Sequence, residues 1–341
     1  MINAVYELIA PRMFDVTYKE LNIEDNLTVI RPLYMSICKA DQRYYQGMRS
    51  AEILREKLPM ALIHECVAEV VFDPTGSFNV GDKVVPVPTI PTEDDEIVSE
   101  NYRRSSKFCS SGFDGFFRDY VGISPERLVK IPDDFNLQVA SFTELISVCY
   151  HAVKRFDKFS HSRKNIIGVW GDGNVGFITS LIIKYMYPDS KLYVFGAVNE
   201  KLSYFTFADE VFHVDDVDDS IKIDHGFECV GGGGSQSAIN QIIDCINPQG
   251  SIGIMGVSEN FVGINTRMVL EKGLNIFGSS RSAKADFEGA VKLLCEHPEL
   301  VRYFEYLVDE IAVIKNIPDM HRAFDDDFKR NFGKTVLKWE V

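Results

Sequence analysis

A glycine-rich turn between an apolar run and a helical pattern most strongly constrains the fold of this chain. The hexapeptide 171–176 (GDGNVG) matches GxGxxG, follows the apolar run 166–170 and opens a helical pattern over 175–187. In such a turn the first glycine permits the tight bend, the second lets the backbone approach a pyrophosphate, and the third lets helix and strand pack closely. The helix N-terminal amides then bind phosphate. The turn predicts a dinucleotide site, with a plain strand-to-helix turn as the alternative.

Strands and helices alternate around this turn. Besides 175–187, a helical pattern covers 235–246, and strand-like runs lie at 165–170, 191–195, 210–214, 227–230 and 251–257. Near-continuous apolar strands separated by helices are typical of a parallel sheet covered on both faces. This part of the chain is therefore predicted to be a doubly wound, Rossmann-type domain in an α/β protein.

The parts before and after this alternation are different. Short β-like runs and turn signals occur at 26–32, 69–72, 78–87 and 116–123. A helix is predicted over 141–156, with Ser141 as its N-cap and Glu144 completing a capping box. The final elements are predicted to be helices at 285–295 and 299–306 and a strand at 333–339. The polar segment 88–111 is predicted to be an exposed, mobile excursion.

These patterns predict two domains. A β-rich domain comprises 1–142 and 284–341, and the inserted dinucleotide-binding domain comprises 143–283.

Composition excludes several classes of protein. The 341 residues are 45% hydrophobic and 25% charged, which is typical of a globular chain and not of a disordered one. Lys and Arg number 36 against 50 Asp and Glu, so the net charge is −14, which disfavours nucleic-acid and anionic-membrane partners. No apolar run approaches a bilayer span, and the start lacks a signal-peptide pattern. Seven scattered cysteines suit a reduced, cytoplasmic location.

The end of the second predicted strand indicates which nucleotide binds. An NAD site needs an acid there to bind the ribose 2′-hydroxyl, but this strand ends at Gly196, and Lys201 follows. A missing carboxylate and a nearby cation favour NADPH; Glu200 could instead serve as the acid. The candidate cofactor-binding residues are Gly171, Gly173, Asn174, Val175, Gly176, Gly196, Lys201 and Lys39.

Cys38, His64 and Glu65 form a candidate metal group. A thiolate and an imidazole are good zinc ligands, and a carboxylate can complete the set. Asp41 could hydrogen-bond the other nitrogen of His64 and fix its tautomer. A buried thiol and a surface His–Glu pair are the alternative interpretation.

Together these residues resemble a known family, the zinc-dependent medium-chain dehydrogenase/reductases of the alcohol and polyol dehydrogenase type. The likeness covers nearly the whole chain and is carried by the glycine turn and by 38–41, 64–65, 80–84, 115–120, 144–152 and 227–231. It implies a GroES-like catalytic domain beside the Rossmann domain. It also implies one catalytic zinc on Cys38, His64, Glu65 and Glu144, the two carboxylates being exchangeable.

The resemblance leaves choices around the metal. Cys149 is the rival of Glu144, but a helix turns about 140° over five residues, so the two cannot both face one metal. Relatives of the polyol type use the glutamate. Many relatives also carry a structural zinc on four cysteines, where the matching stretch of this chain holds only Cys109, so no structural zinc is expected.

The chain departs from the family at the proton relay. Relatives usually carry a hydroxyl two residues after the cysteine ligand, where this chain has Ala40. Protons would then move through water, the substrate, Tyr45 or Glu65, which leaves the general acid open.

Basic residues near the metal motif point to an anionic substrate. The candidates for binding a substrate phosphate are Arg43, Tyr44 and Arg104. Arg103, Arg104 and Lys107 could equally be solvated surface charges. The run 36–47 and the missing cysteine lobe resemble the bacterial ribulose-5-phosphate reductases. That resemblance implies ribitol 5-phosphate formation for teichoic acid or capsule, a homodimer, and association with the cytidylyltransferase of the pathway.

Three other functions stay open from the sequence. A polyol or alcohol dehydrogenase acting on a neutral sugar alcohol would use NAD. A zinc-free quinone or enone reductase would share the fold, but the metal group disfavours it. A non-enzymatic NADPH-binding protein would not need that group.

Overall fold

The computed structural model describes residues 1–23 and 26–341. Its strands are β1 Ile2–Ala10, β2 Met13–Glu20, β3 Thr28–Ser36, β4 Met60–Ala61, β5 Glu65–Phe72, β6 Lys83–Pro86, β7 Thr89–Ile90, β8 Lys107–Phe108, β9 Val121–Ile123, β10 Leu128–Lys130, β11 Ile166–Trp170, β12 Lys191–Gly196, β13 Glu210–His213, β14 His225–Glu228, β15 Ser251–Ile254, β16 Asn275–Gly278, β17 Val308–Ile314 and β18 Lys334–Trp339. Its helices are α1 Lys39–Tyr45, α2 Ala51–Lys57, α3 Leu137–Ala140, α4 Thr143–Phe159, α5 Asn174–Met186, α6 Asn199–Leu202, α7 Ser235–Cys245, α8 Thr266–Lys272, α9 Lys284–Glu296, α10 Pro298–Glu305 and α11 Ile317–Phe328.

The chain divides into two compact units. One comprises Met1–Ser147 with Ser282–Val341, and the other comprises Val148–Arg281. The predicted boundaries, 142/143 and 283/284, lie a few residues from these. Among the described residues, no helix is long and apolar enough to cross a bilayer.

The second unit is built on a six-stranded sheet. Its order is β13-β12-β11-β14-β15-β16, and every neighbouring pair is parallel. This is the 3-2-1-4-5-6 order of a dinucleotide-binding sheet, in which the ligand lies at the carboxyl ends of the central strands. Inside it the Trp170 and Phe195 rings are stacked with centroids 3.7 Å apart.

The first unit is β-rich. Its main sheet runs β10-β6-β5-β3-β18-β17, with β9 also paired to β3, and a smaller sheet runs β2-β1-β4. The core includes an aromatic cluster of Phe14, Tyr45, Phe117, Phe324 and Trp339. The C-terminal strand β18 pairs antiparallel with β3, which carries the chain's end back to the metal motif.

Several predicted elements need correction. The run 116–123 is a strand only at β9, because the backbone of 115–117 hydrogen-bonds to that of 61–63. Ser141 is not an N-cap: it follows α3, and its hydroxyl donates to the Gln138 carbonyl while α4 begins at Thr143. Segment 88–111 is not wholly exposed, since it holds β7 and β8 and its end is buried at Cys109 and Ser110.

Candidate active site

Two adjacent strands bring the metal group together. Cys38 follows β3 and is the N-cap of α1, while Glu65 begins β5 and pairs with Ser36 of β3. One ligand atom from each of Cys38, His64 and Glu65 lies within 4.8 Å of the others. Because β3 and β5 are antiparallel neighbours, residues far apart in sequence meet at one sheet end.

Asp41 ties the backbone around this group together. Its carboxylate accepts hydrogen bonds from the Cys38 amide at 3.3 Å, the Ile63 amide at 3.1 Å and the Ser110 hydroxyl at 2.5 Å. Its Oδ1 also lies 3.5 Å from His64 Nδ1. Burial raises the pKa of Asp41, but His64 and these donors outweigh it, so the net shift is downward and the carboxylate stays charged. Asp41 therefore lies beside His64 as expected, but the expected hydrogen bond to His64 Nδ1 is not formed in the structure.

Lys334 is a buried cation beside the group, and no local signal in the sequence pointed to it. Its Nζ donates to the Ile37 carbonyl at 2.9 Å and to Glu65 Oε1 at 2.8 Å, and Glu65 Oε2 also accepts from the Ser36 hydroxyl. Burial lowers the pKa of Lys334, but the charges of Glu65 and Cys38 outweigh that effect and raise it. Both Glu65 oxygens are thus held by neighbours.

Glu144 also faces the group, and its Oε2 lies 4.0 Å from His64 Nε2. Burial raises the pKa of Glu144 to about 7; His64 opposes this shift and Glu65 adds to it. The rival thiol, Cys149, lies in the second unit with its Sγ 3.8 Å from the Val175 carbonyl. Within the first unit, the structure therefore brings the Glu144 carboxylate to His64.

The residues present fit a zinc ion. A thiol, an imidazole and carboxylates are typical zinc donors. Among the described residues, Cys38, His64 and Glu65 form such a group, and Glu144 lies 4.0 Å from His64. Its electrostatics favour a cation: although burial lowers the pKa of His64, Asp41 and Cys38 raise it well above the ordinary value. Several carboxylates and a thiol around one point make a place suited to a divalent ion.

Tyr45 is poorly placed to be the missing proton relay. Its ring is fully buried in the aromatic cluster, and its hydroxyl lies 2.8 Å from His321 Nδ1. Burial and the charge of Asp325 raise the pKa of Tyr45 to about 12. Of the two side chains that the sequence suggested, only Glu65 lies in the metal group.

The predicted phosphate-binding residues differ in burial: Arg43 is half-buried, Tyr44 is buried and Arg104 is exposed. Arg43 is half-buried on α1, and burial, followed by the charge of Arg49, lowers its pKa. The Arg49 guanidinium lies 5.1 Å from the centroid of the buried Tyr44 ring. The guanidinium groups of Arg43 and Arg49 therefore lie in the same part of the first unit. Arg49 was not considered from the sequence, although it follows Arg43 by only six residues.

The other cations are held elsewhere or exposed. Arg103 donates to the carbonyls of Glu93, Asp95 and Val98 and so holds its own loop, as the surface-charge interpretation expected. Arg104 is exposed. Lys39 lies 3.9 Å from Asp327 and is largely exposed.

The glycine turn opens onto a cavity in the second unit. Gly171 has φ +137, a region that side chains rarely adopt, and a Cβ on Gly176 would lie 1.9 Å from the Gly171 carbonyl oxygen. A Cβ on Gly173 would meet no atom within 4 Å, which leaves the backbone approachable. The cavity, of about 440 Å³, falls in the range of small-molecule sites.

A carboxylate that sequence reasoning missed lies at the end of β12. Asp172, from the glycine turn, accepts hydrogen bonds from the amides of Ala197 and Val198 at 2.8 and 2.9 Å. Its Oδ1 lies 3.9 Å from Lys201 Nζ, and both side chains line the cavity. A Cβ on Gly196 would lie 2.7 Å from the Asp172 Cβ, so an acid cannot be introduced at Gly196 without displacing the turn. Glu200, the alternative acid, is exposed.

Comparison with known proteins shows which family the chain resembles. Residues 24–133 match the alcohol dehydrogenase GroES-like domain. The chain is 53% identical over 339 residues to ribulose-5-phosphate reductase 1 of Staphylococcus aureus, covering 99% of each chain. It is 49% identical to the ribulose-5-phosphate reductase of Bacillus spizizenii, covering 100% of each. Among solved structures, S. aureus TarJ in complex with NADPH matches with a TM-score of 0.90 and 48% identity over 100% of both chains.

These full-length identities are well above the level at which only a fold is shared. The predicted α/β class, with a GroES-like domain and a Rossmann domain, is confirmed. The chain therefore belongs to the medium-chain dehydrogenase/reductase family, among the ribulose-5-phosphate reductases.

Proposed function

We propose that the protein reduces ribulose 5-phosphate to ribitol 5-phosphate with NADPH at a single zinc centre, for CDP-ribitol and teichoic acid or capsule synthesis. The observation that carries the proposal is that Cys38 meets the buried side chains of His64, Glu65 and Glu144 in a chain 53% identical to a ribulose-5-phosphate reductase. The resemblance extends the proposal to a cytoplasmic homodimer associated with the cytidylyltransferase of that pathway.

The chain's own residues prepare the metal site. Cys38, His64, Glu65 and Glu144 would hold the zinc, which when bound polarises the C2 carbonyl as a Lewis acid. Asp41 lies beside Nδ1 of His64, which leaves Nε2 on the side of Glu144 for ligation. Lys334 balances the charge of Glu65.

Glu144 would be an exchangeable ligand of the metal. It is buried, with Oε2 4.0 Å from His64 Nε2, and would give way to a water or substrate oxygen. Ala40 offers no hydroxyl, so the proton would move through water or the substrate.

The cavity in the second unit supports NADPH as the hydride donor. The amides at the start of α5 and the open backbone at Gly173 suit a pyrophosphate. Lys201, on α6 with its Nζ 3.9 Å from Asp172, lines the same cavity and would bind a ribose 2′-phosphate.

Lys201→Ala is expected to weaken NADPH binding about tenfold, because a charged hydrogen bond is worth about 1.5 kcal/mol or more. NADH binding should change little. Fluorescence of Trp170, which lines the cavity, provides the titration signal. Lys191→Ala, at the start of β12 and outside the residues that line the cavity, is the matched control and should bind both nucleotides normally. An equal loss for NADPH and NADH would mean that Lys201 supports the site without reading the phosphate.

The reaction is tested with the purified protein, NADPH and four sugars: ribulose 5-phosphate, free ribulose, xylulose 5-phosphate and fructose 6-phosphate. Ribulose 5-phosphate should give the highest kcat/KM, measured as NADPH oxidation. A preference for free ribulose, or for NADH, would instead support a dehydrogenase of neutral polyols.

A further inference from the structure

The end of segment 88–111 lies against the metal group. β8 pairs with β7, and the Cys109 amide donates to the Pro88 carbonyl at 3.0 Å, which fixes the backbone before Ser110. The Phe108 ring lies 5.3 Å from the His64 ring. Ser110 itself is 4% exposed. The segment is therefore packed at its end, next to residues that would ligate zinc.

Ser110 adopts a backbone conformation that favours glycine. Its φ is +61, and its amide donates to the Phe113 carbonyl at 2.9 Å. Such a conformation is strained for a non-glycine residue, so its use at a buried serine points to a role for the side chain. That side chain donates its hydroxyl hydrogen to Asp41 Oδ1 at 2.5 Å.

The Ser110 hydroxyl contacts the Asp41 carboxylate, which in turn lies beside two candidate ligands, Cys38 and His64. Asp41 Oδ1 also accepts from the Ile63 amide and lies 3.5 Å from His64 Nδ1, while Oδ2 accepts from the Cys38 amide. The short contact with Ser110 therefore helps to set the plane of the carboxylate. The plane in turn sets how Asp41 faces His64 and the amide of Cys38.

We propose that Ser110 is a positioning residue of the metal site, acting through Asp41 to hold His64 and Cys38 in ligating geometry. Segment 88–111 would then support the catalytic metal through the contact between Ser110 and Asp41, although the segment carries a single cysteine. Partners of metal ligands typically contribute 10- to 100-fold to metal affinity. The inference rests on the proposed zinc site.

The test compares wild type with Ser110→Ala, Ser110→Gly and the control Ser111→Ala. Ser111 is the neighbouring hydroxyl, which accepts from Lys57 at 3.0 Å and makes no contact with Asp41 in the structure. Zinc affinity is measured by competition with a chromophoric chelator, and the ligand field is followed by the visible absorption of the Co²⁺ form. Both Ser110 variants should bind zinc about tenfold more weakly and show an altered Co²⁺ spectrum.

Ser110→Gly separates this role from a structural one. Glycine adopts the positive φ without strain, so this variant should unfold at a higher temperature than Ser110→Ala while losing the same zinc affinity. Wild-type affinity and spectrum in either Ser110 variant, or an equal change in Ser111→Ala, would overturn the inference and leave the zinc site intact. A wild-type protein that binds no zinc would overturn both proposals.

Discussion

Cys38→Ser is expected to lower kcat about a thousandfold and to release the zinc, because the Lewis-acid metal supplies several kcal/mol of transition-state stabilisation. Stability should be largely kept, since Cys38 is a half-exposed helix N-cap and not part of the hydrophobic core. Zinc content by elemental analysis, NADPH oxidation and thermal unfolding together check this result.

Cys149→Ala is the matched control for this change. It removes the rival thiol, which is fully buried in the second unit, so it should lower stability while leaving one zinc per chain and most of the turnover. Full activity in Cys38→Ser, or two zinc ions per wild-type chain, would contradict the assignment of the metal site.

The parts of the fold that sequence could predict are those with local signals. The Rossmann unit combines a GxGxxG turn with apolar strands of near-continuous hydrophobicity, and these patterns depend on neighbours within a few residues. The β1–β2 hairpin was missed for a related reason. β1 is buried along most of its length, so it lacks the alternation that identifies a half-exposed strand.

The outer partners of the metal site could not be predicted because they are distant in sequence. Lys334 meets Glu65 across 269 positions, and Ser110 meets Asp41 across 69. Neither residue belongs to a pattern that marks it as unusual. Both contacts depend on strand pairing and on the path of a segment without regular periodicity, which are set by the tertiary fold.

At the cofactor site the carboxylate of Asp172 was missed from the sequence for a different reason. Reading along β12 correctly found no acid at its end, yet a carboxylate is present there because Asp172 reaches across from the glycine turn. That carboxylate is occupied by two backbone amides and faces Lys201. The charge beside the end of β12 therefore depends on Asp172 from the glycine turn and Lys201 from α6. A rule that examines only the last residue of the strand does not include either of them.

Overall and local charge act in opposite directions on the substrate phosphate: the protein is acidic as a whole, but Arg43 and Arg49 carry positive charge near the metal motif. A net charge of −14 repels a sugar phosphate at long range, but salt limits that effect to about 10 Å. Capture then depends on short charged hydrogen bonds, for which guanidinium groups are well shaped. Arg43 and Arg49 lie close enough for the charge of one to lower the pKa of the other, an arrangement that a phosphate dianion would stabilise.

Arg43→Ala is therefore expected to raise KM for ribulose 5-phosphate about 10- to 150-fold, the effect of losing a charged hydrogen bond worth about 1.5–3 kcal/mol. KM for NADPH, and any activity on free ribulose, should change little. Arg55→Ala removes the same charge from an exposed position on α2 and should leave KM unchanged, which separates a local contact from long-range charge. If Arg43→Ala lowers the activity on ribulose 5-phosphate and on free ribulose equally, the arginine supports helix α1, which begins after Cys38, and does not bind the phosphate.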